Sequence, residues 1–162
     1  MKNDTDTKNL CGKHLSFKLD LETYCLEIIR VQEIIKMREV THIPKMPGYV
    51  RGVIDLRGMV IPVIDLRLKF EMETREDDKK TCIIVVQVEG ESRTVTTGVI
   101  VDEVAEVVDV TAEQIEPPPS FGGCVDTSFI LGIAKVAGKV LTMINIDQVL
   151  KNDEMAASEK AA

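Results

Sequence analysis

The sequence has no tryptophan, and aromatic residues make up only 4% of its 162 residues. A hydrophobic core must therefore be built mainly from Val, Ile, Leu and Met. No apolar run approaches the ~20 residues that a membrane-spanning helix needs, and the polar start of the chain lacks the apolar segment of a secretory signal. These absences favour a soluble cytoplasmic protein without direct membrane insertion.

Positive charge is also in deficit. The chain carries 20 basic and 27 acidic residues, which gives a net charge of -7. A surface of this sign repels phosphate backbones, so nucleic-acid binding is not expected.

Sequence motifs of catalysis and of metal binding are missing. There is no G-x-S-x-G, H-E-x-x-H or G-x-G-x-x-G pattern. The four cysteines are scattered without a C-x-x-C pair, and Cys11 with His14 supplies only two of the four ligands of a structural zinc site. We therefore expect a protein that is not an enzyme and that uses no metal or cofactor.

The clearest local pattern lies between residues 50 and 70. Two runs rich in Val, Ile and Leu, Gly52 to Leu56 and Met59 to Leu66, flank the pair Arg57-Gly58. Glycine at the second position of a two-residue connection allows the positive φ of a tight β-turn. The pattern predicts a β-hairpin with Arg57 at its tip. Pro62 has no N–H to donate, which predicts an edge position or a bulge in the second strand.

This pattern occurs twice in the chain. An offset of 80 places residues 50–70 on residues 130–150, so that two glycines coincide: Gly52 falls on Gly132, and Gly58 on Gly138. An offset of 70 places residues 31–34 on residues 101–104. The chain is therefore predicted to contain two related halves, at about residues 14–75 and 80–150.

The remaining pattern is also that of strands. Apolar and polar residues alternate from His14 to Leu21, and about ten short strands are predicted in all, which favours an all-β fold of two small barrels side by side. Residues 31–37 fit either a helical turn or a strand. A short helix capped by Asp147 is predicted to run to about Ala157. Residues 1–13 are predicted to be a disordered tail, and residues 151–162 a helical or disordered one.

Two charged residues stand out against this apolar background. Arg57 lies at the predicted hairpin tip, and Glu33 interrupts an apolar run. They are either ordinary surface charges or the charged centre of a binding surface surrounded by aliphatic side chains. A small-ligand-binding β-barrel, such as a metabolite sensor, is the competing class of function, although few polar or aromatic residues cluster as a ligand pocket would require.

Residues 15–150 resemble the CheW family of bacterial chemotaxis coupling proteins. The most specific matches are four segments: Val31 to Glu33, Gly52 to Arg67, Gly98 to Asp102, and Thr111 to Pro117. The resemblance implies a single CheW-like domain over residues 14–150, with two SH3-like β-barrel subdomains around a shared core.

The resemblance also implies a function and partners. The chain would be a non-catalytic scaffold that couples the cytoplasmic tips of chemoreceptors (methyl-accepting chemotaxis proteins) to the regulatory domain of the histidine kinase CheA. It would be cytoplasmic and recruited to membrane receptor arrays. An adaptor of a receptor system outside chemotaxis is an alternative.

Site residues follow from the same resemblance. Arg57 and Glu33 match the functional Arg and Glu of the family, near a receptor-binding groove between the subdomains. Further receptor- or kinase-binding positions are implied: Val31, Gly52, Gly58, Gly98, Val107 and Gly132. The family motif is usually Asn-x-Arg-Gly, and this chain has Asp55 at the Asn position. The carboxylate that pairs with Arg57 is therefore either Glu33 or Asp55.

Overall fold

The computed structural model describes residues 10–73, 76–90, 92–118 and 128–150. Most of this part of the chain is β-structure. The strands are β1 (Gly12–Leu19), β2 (Glu22–Glu27), β3 (Val31–Lys36), β4 (Val50–Leu56), β5 (Met59–Asp65), β6 (Cys82–Glu89), β7 (Thr94–Val101), β8 (Glu103–Val110), β9 (Ile115–Glu116), β10 (Ile130–Val136) and β11 (Lys139–Ile144).

The helical elements are short. Helix α1 spans Leu66–Lys69, residues 146–150 form helix α2, and single 3₁₀ turns cover Ile28–Arg30 and Ala112–Gln114. Within the described residues, none of the helices has the length and apolar character needed to span a bilayer.

The strands form two sheets with the same internal order. The first sheet runs β3-β6-β7-β5-β4, and the second runs β8-β1-β2-β11-β10-β9. In each, the second strand of the repeated hairpin pairs in parallel with the second strand of another hairpin: β5 with β7, and β11 with β2. The all-β prediction and the internal repeat are confirmed.

The sheets divide the chain differently from the predicted halves. Hairpin β1–β2, from the start of the chain, belongs to the second sheet, while β6–β7 completes the first. A boundary near residues 75–80 therefore does not separate the two sheets. Periodicity along the chain identified each hairpin but could not determine which distant strand it pairs with.

Both sheets curl until their two ends meet. In the first, Thr41 forms an isolated antiparallel bridge with Val53 of β4. In the second, β9 pairs with β10, with Glu116 opposite Ile133. The offset of 80 relates Val53 to Ile133, so both barrels are closed at the same place in the repeat.

A repeated glycine makes this closure possible. A Cβ atom at Gly52 would lie 2.0 Å from the carbonyl oxygen of Thr41, and one at Gly132 would lie 3.0 Å from that of Glu116. Gly52 also has φ of +147°, a value that residues with a side chain rarely adopt. The conformation and the close approach both require glycine at position 52.

Buried apolar residues form three clusters. One fills the first barrel: Ile54, Leu56, Ile61, Val63, Ile83, Val85 and Ile100. A second fills the other barrel: Cys25, Val110, Ile115, Ala134, Leu141 and Met143. The largest combines residues of both sheets and α2, including Leu15, Phe17, Leu19, Leu26, Ile64, Leu66, Ile84, Val86, Val99, Ile144, Ile146 and Leu150. The structure is thus two barrels joined by a shared core.

The shared core has a polar link at its edge, made by Arg67. Its side chain is 2% exposed and donates to Asp65 through Nε (3.0 Å), to Asp102 through Nη1 (3.0 Å) and to Asp77 through Nη2 (3.1 Å). The other oxygen of Asp102 accepts the backbone N–H of Asp20, in the β1–β2 turn of the second sheet. Arg67 therefore connects the two sheets through Asp102.

In the second half of the repeat, the position equivalent to Arg67 carries an acidic residue. Asp147, which the offset of 80 relates to Arg67, pairs with Arg30 at 2.7 Å and accepts the backbone N–H of Glu89 at the end of β6. Asp147 thus connects α2 to the first sheet. The prediction that Asp147 caps this helix is wrong. The cap is Asn145, whose side chain accepts the N–H of Gln148.

Three further sequence expectations have different outcomes. Strand β5 lies between β7 and β4, but its pairing with β7 begins only at Val63, so at Pro62 the strand is paired on one side only and Pro62 need not donate to β7. The predicted disordered tail is wrong at its end, because β1 begins at Gly12; residues 1–9 and 151–162 lie outside the described residues. Residues 31–36, which fitted either a helical turn or a strand, form a strand.

We expect Gly52→Ala to destabilise the protein by about 3 kcal/mol, because the new methyl group would collide with the Thr41 carbonyl. The colliding atoms belong to the backbone, so the chain at Thr41 would have to move. Gly58→Ala is the matched control. Gly58 also has positive φ, but no atom lies within 4 Å of the position of a Cβ, so the cost should be only about 1 kcal/mol. Urea denaturation measures both values, and equal losses would contradict the role of Gly52 in closure.

We expect Arg67→Met to cost about 3–5 kcal/mol at neutral pH, because it removes the buried cation that contacts both Asp65 and Asp102 and leaves Asp65 with the partly exposed Arg51. Lys13→Met, which removes an exposed ion pair with Asp109, should cost less than about 1 kcal/mol. Chemical denaturation of the two variants tests the difference, and a loss below about 1 kcal/mol for Arg67→Met would contradict the structural role of the network.

The same variant should change the pH dependence of stability. Burial raises the pKa of Asp65, but hydrogen bonds from Arg67 and Arg51 outweigh burial and hold that pKa below its usual value; the pKa of Asp77 is lowered in the same way. The stabilisation that the Asp65 and Asp77 carboxylates give the folded protein is complete above the pKa of about 4 that aspartate has in the unfolded chain. It is lost as the pH falls through the lower pKa that these groups have in the folded protein. The stability gap between wild type and Arg67→Met should therefore narrow from pH 7 to pH 3.

Candidate functional site

Arg57 lies at the tip of the β4–β5 hairpin, as predicted. Arg57 and Gly58 have φ of 52° and 86°, the two positive values of a type I′ turn, whose twist matches that of the flanking strands. The side chain of Asp55 accepts the backbone N–H of Gly58 at 2.7 Å. Asp55 therefore stabilises the turn that presents Arg57.

The partner of Arg57 is Glu33. The Nη1 and Nη2 atoms of Arg57 donate to the two carboxylate oxygens of Glu33 at 2.5 and 2.7 Å. This is the bidentate geometry that gives arginine pairs their directional strength. Of the two carboxylates that the sequence left open, Glu33 binds the guanidinium and Asp55 binds the backbone of the turn.

The ion pair joins two strands at opposite ends of the first sheet. Glu33 follows a register shift in β3 between Val31 and Glu33, where the strand contains one extra residue relative to β6. Bulges of this kind redirect side chains. Because the sheet is closed into a barrel, the hairpin tip reaches the redirected Glu33.

The pair is ionised, and its arginine is open to solvent. The Arg57 side chain is 72% exposed and that of Glu33 is 21% exposed. The hydrogen bond from Arg57 lowers the pKa of Glu33, and the bond to Glu33 raises the pKa of Arg57. Exposed pairs contribute little to stability. The main effect of the Arg57–Glu33 pair is therefore to fix the orientation of an accessible guanidinium.

Exposed aliphatic residues follow both members of the pair in the chain. Met59 and Val60, which follow the turn, are 53% and 65% exposed, and Ile34, which follows Glu33, is 43% exposed. We refer to Glu33, Ile34, Arg57 and Met59 as the Arg57 patch; Val60 points to the opposite face of β5 from Met59 and is not part of it. A charged centre with apolar neighbours is the composition expected of an interaction surface.

The second barrel presents a related tip. Val140, at an offset of 80 from Val60, is 58% exposed. The residue that corresponds to Arg57 is Ala137, which has φ of 51° at the same turn position. The two tips thus share exposed valines, while only the first carries an arginine.

The other predicted site residues do not join the Arg57 patch. Gly52, Gly98 and Gly132 are buried; a Cβ at Gly98 would lie 2.8 Å from a methyl group of Ile83. Their observed role is to allow close packing. Val31 packs against the shared core, and Val107 is half exposed on β8 of the second sheet. Only Gly58 is brought together with Glu33 and Arg57.

A cleft of about 370 Å³ lies where the two sheets meet. It is lined mainly by charged side chains, among them Lys18, Asp20, Lys80 and Glu103. Among the described residues, no group of three or more His, Cys, Asp or Glu side chains could hold a metal ion. This charged cleft lacks the apolar walls that small-ligand sites typically have.

Sequence reasoning missed the buried network around Arg67. A signal was present, because Asp65 and Arg67 interrupt an otherwise apolar run at the end of the repeated hairpin. Charged residues in such runs are seldom fully buried unless they are paired. The carboxylate of Asp102 is 35 residues away in sequence, so the pairing itself could not be read from the pattern.

Comparisons with known proteins agree with this architecture. The family model of the CheW-like domain matches residues 13–154. A chemotaxis protein CheW of Klebsiella aerogenes is 36% identical over 148 residues, covering 91% of this chain and 87% of that protein. One of Rhizobium meliloti is 32% identical over 144 residues, covering 89% and 90%.

A solved structure extends the agreement to the fold. The crystal structure of the scaffolding protein TtCheW from Thermoanaerobacter tengcongensis superimposes with a TM-score of 0.76 at 38% identity, covering 87% of this chain and 93% of that one. Matches of this extent in sequence and structure show that the chain belongs to the CheW family of chemotaxis scaffold proteins.

Proposed function

We propose that this protein couples the cytoplasmic tips of chemoreceptors to the regulatory domain of the histidine kinase CheA. The observation that carries this proposal is the exposed, bidentate Arg57–Glu33 pair in the Arg57 patch. Family membership supports the scaffold role, and the pair supplies a specific contact through which a scaffold could recognise its partner.

The Arg57 patch is suited to a helical receptor segment. Glu33 accepts two of the five N–H donors of the guanidinium, which leaves donors for carboxylate or carbonyl oxygens of a partner. Aliphatic side chains beside the pair would pack against the apolar stripe of a helix. Val107, half exposed on β8, would contribute from the second barrel.

The kinase would bind beside the hairpin tips, at exposed strand faces. Val60 of β5 and Val140 of β11 occupy equivalent positions and are both exposed. The family resemblance implies that the kinase regulatory domain has a similar double barrel, so each of these strand faces would contact a barrel of that domain. Such a chain would be a non-catalytic link, cytoplasmic and recruited to receptor arrays through its two kinds of contact.

We expect Arg57→Ala to weaken binding to chemoreceptor-containing membranes about tenfold or more, as loss of a positioned arginine does at other interfaces. Glu33→Gln should cause a smaller loss, because the guanidinium remains but loses a charged partner. Co-sedimentation with receptor membranes, without kinase, measures both effects.

Arg38→Ala provides the matched control. Arg38 is a nearby exposed arginine that contacts only the backbone oxygen of Asp55 in the described hydrogen bonds. Circular dichroism should show all three variants folded. Receptor binding by Arg57→Ala equal to that of Arg38→Ala would contradict the proposed receptor contact.

We expect Val60→Glu and Val140→Glu each to weaken binding to the isolated kinase regulatory domain, because a charge would replace an exposed apolar contact. Arg57→Ala should leave this binding within about twofold of wild type. Titration calorimetry tests the separation of the two surfaces, and an unchanged affinity for both valine variants would contradict the kinase assignment.

A further inference from the structure

The carboxylate of Glu33 has a second hydrogen-bond partner besides Arg57. The bond from Arg57 is the main cause of the lowered pKa of Glu33, and a side-chain hydrogen bond with Gln32 lowers that pKa further. Because a carboxylate can only accept, the amide nitrogen of Gln32 is the donor. Gln32 is the extra residue of the bulge in β3, where the pairing with β6 shifts between Val31 and Glu33. The bulge therefore places an amide beside the carboxylate that binds Arg57.

The amide of Gln32 is oriented by Gln87 of β6. The Nε2 atom of Gln87 donates to Oε1 of Gln32, and it also donates to Oγ1 of Thr96 on β7 at 3.2 Å. An amide nitrogen carries two N–H groups, so both donors of Gln87 are used. With its oxygen bound to Gln87, Gln32 presents its nitrogen to Glu33. Each contact in this chain of side chains thus fixes the orientation of the next one.

The opposite orientation of the Gln32 amide would be unfavourable. It would set the amide oxygen of Gln32 against the carboxylate of Glu33 and its nitrogen against the nitrogen of Gln87. Gln32 is exposed, and a long exposed side chain samples many rotamers unless a contact holds it. Gln87 is partly buried and lies opposite Thr96 in the β6–β7 ladder. The sheet therefore supplies the anchor that the exposed Gln32 lacks by itself.

We propose that Gln32 and Gln87 are positioning residues for Arg57, which hold the Glu33 carboxylate in the orientation that binds the guanidinium. Glu33 is the sole partner of Arg57 among the described ion pairs, so rotation of this carboxylate would release the arginine. The positioning role is a property of the free protein. Its consequence for receptor binding rests on the proposed function.

NMR of the free protein tests the positioning role. In Gln87→Met, the pKa of Glu33, followed by its carboxyl carbon, should move upward toward that of an ordinary glutamate. The guanidinium protons of Arg57 should exchange with water about threefold faster, as expected for the loss of one surface hydrogen bond. The exposed Gln32→Met variant should show both changes without loss of the fold.

Gln148→Met is the matched control for both measurements. Gln148 is an exposed glutamine of α2 whose side chain makes no hydrogen bond among the described residues, so this variant should behave as the wild type. A Glu33 pKa and an Arg57 exchange rate that stay at their wild-type values in Gln32→Met and Gln87→Met would overturn the proposal.

A double variant tests whether the two glutamines act in series. If Gln87 acts on Glu33 only through Gln32, the combination of Gln32→Met with Gln87→Met should change the Glu33 pKa no more than Gln32→Met alone. Additive changes would show that Gln87 acts by another route and would overturn the proposed order of contacts.

Co-sedimentation with receptor-containing membranes tests the consequence for binding. Gln87→Met should weaken binding about threefold, less than Arg57→Ala, because the guanidinium remains but is held less well. Gln148→Met should bind as the wild type does. Weak binding by Arg57→Ala together with normal binding by Gln87→Met would contradict a role of positioning in recognition. Normal binding by Arg57→Ala would instead contradict the proposed receptor contact, and the NMR measurements would still decide the positioning role.

Discussion

The structure depends on the guanidinium of Arg67, which binds carboxylates from separate parts of the chain at the join between the two sheets. Burial alone would lower the pKa of this arginine, but its hydrogen bonds to Asp65 and Asp77 raise it. A buried cation with several anionic partners is costly to desolvate and more costly to leave unpaired. The network therefore stabilises one arrangement of the barrels, and the reversed pair of Asp147 with Arg30 performs the same connection on the opposite side.

The two arginines at either end of the repeated hairpin have different roles because their exposure differs. Arg67 is buried and connects sheets, whereas Arg57 is exposed and held by one glutamate. The hairpin that carries Arg57 is constrained at both ends, since Gly52 permits barrel closure and Asp55 stabilises the turn. A constrained support of this kind reduces the entropy that a partner must remove when it binds. The fold thus positions the arginine that we propose for receptor contact.

The candidate site was only partly predictable. Arg57 and Glu33 could be selected from the sequence because each is a charge in apolar surroundings, and the turn chemistry of Arg57-Gly58 is local. That Glu33 and not Asp55 binds Arg57 depends on the bulge in β3 and on closure of the sheet. Gly52, Gly98 and Gly132 were selected with the site residues, but they are buried and allow close packing. A sequence motif does not distinguish residues that contact a partner from residues that support the contact.

The sequence by itself determined the hairpins, their turns and the repeat, because strand alternation and positive-φ glycines act over a few neighbouring residues. It also determined that the barrels would be filled by aliphatic side chains. Only the tertiary structure decided that β1–β2 joins the second sheet, that Pro62 lies in an internal strand and that Asp102 reaches Arg67. Each of these depends on pairing between residues far apart in the chain, where many partners satisfy the same local pattern and the packing of the shared core selects one.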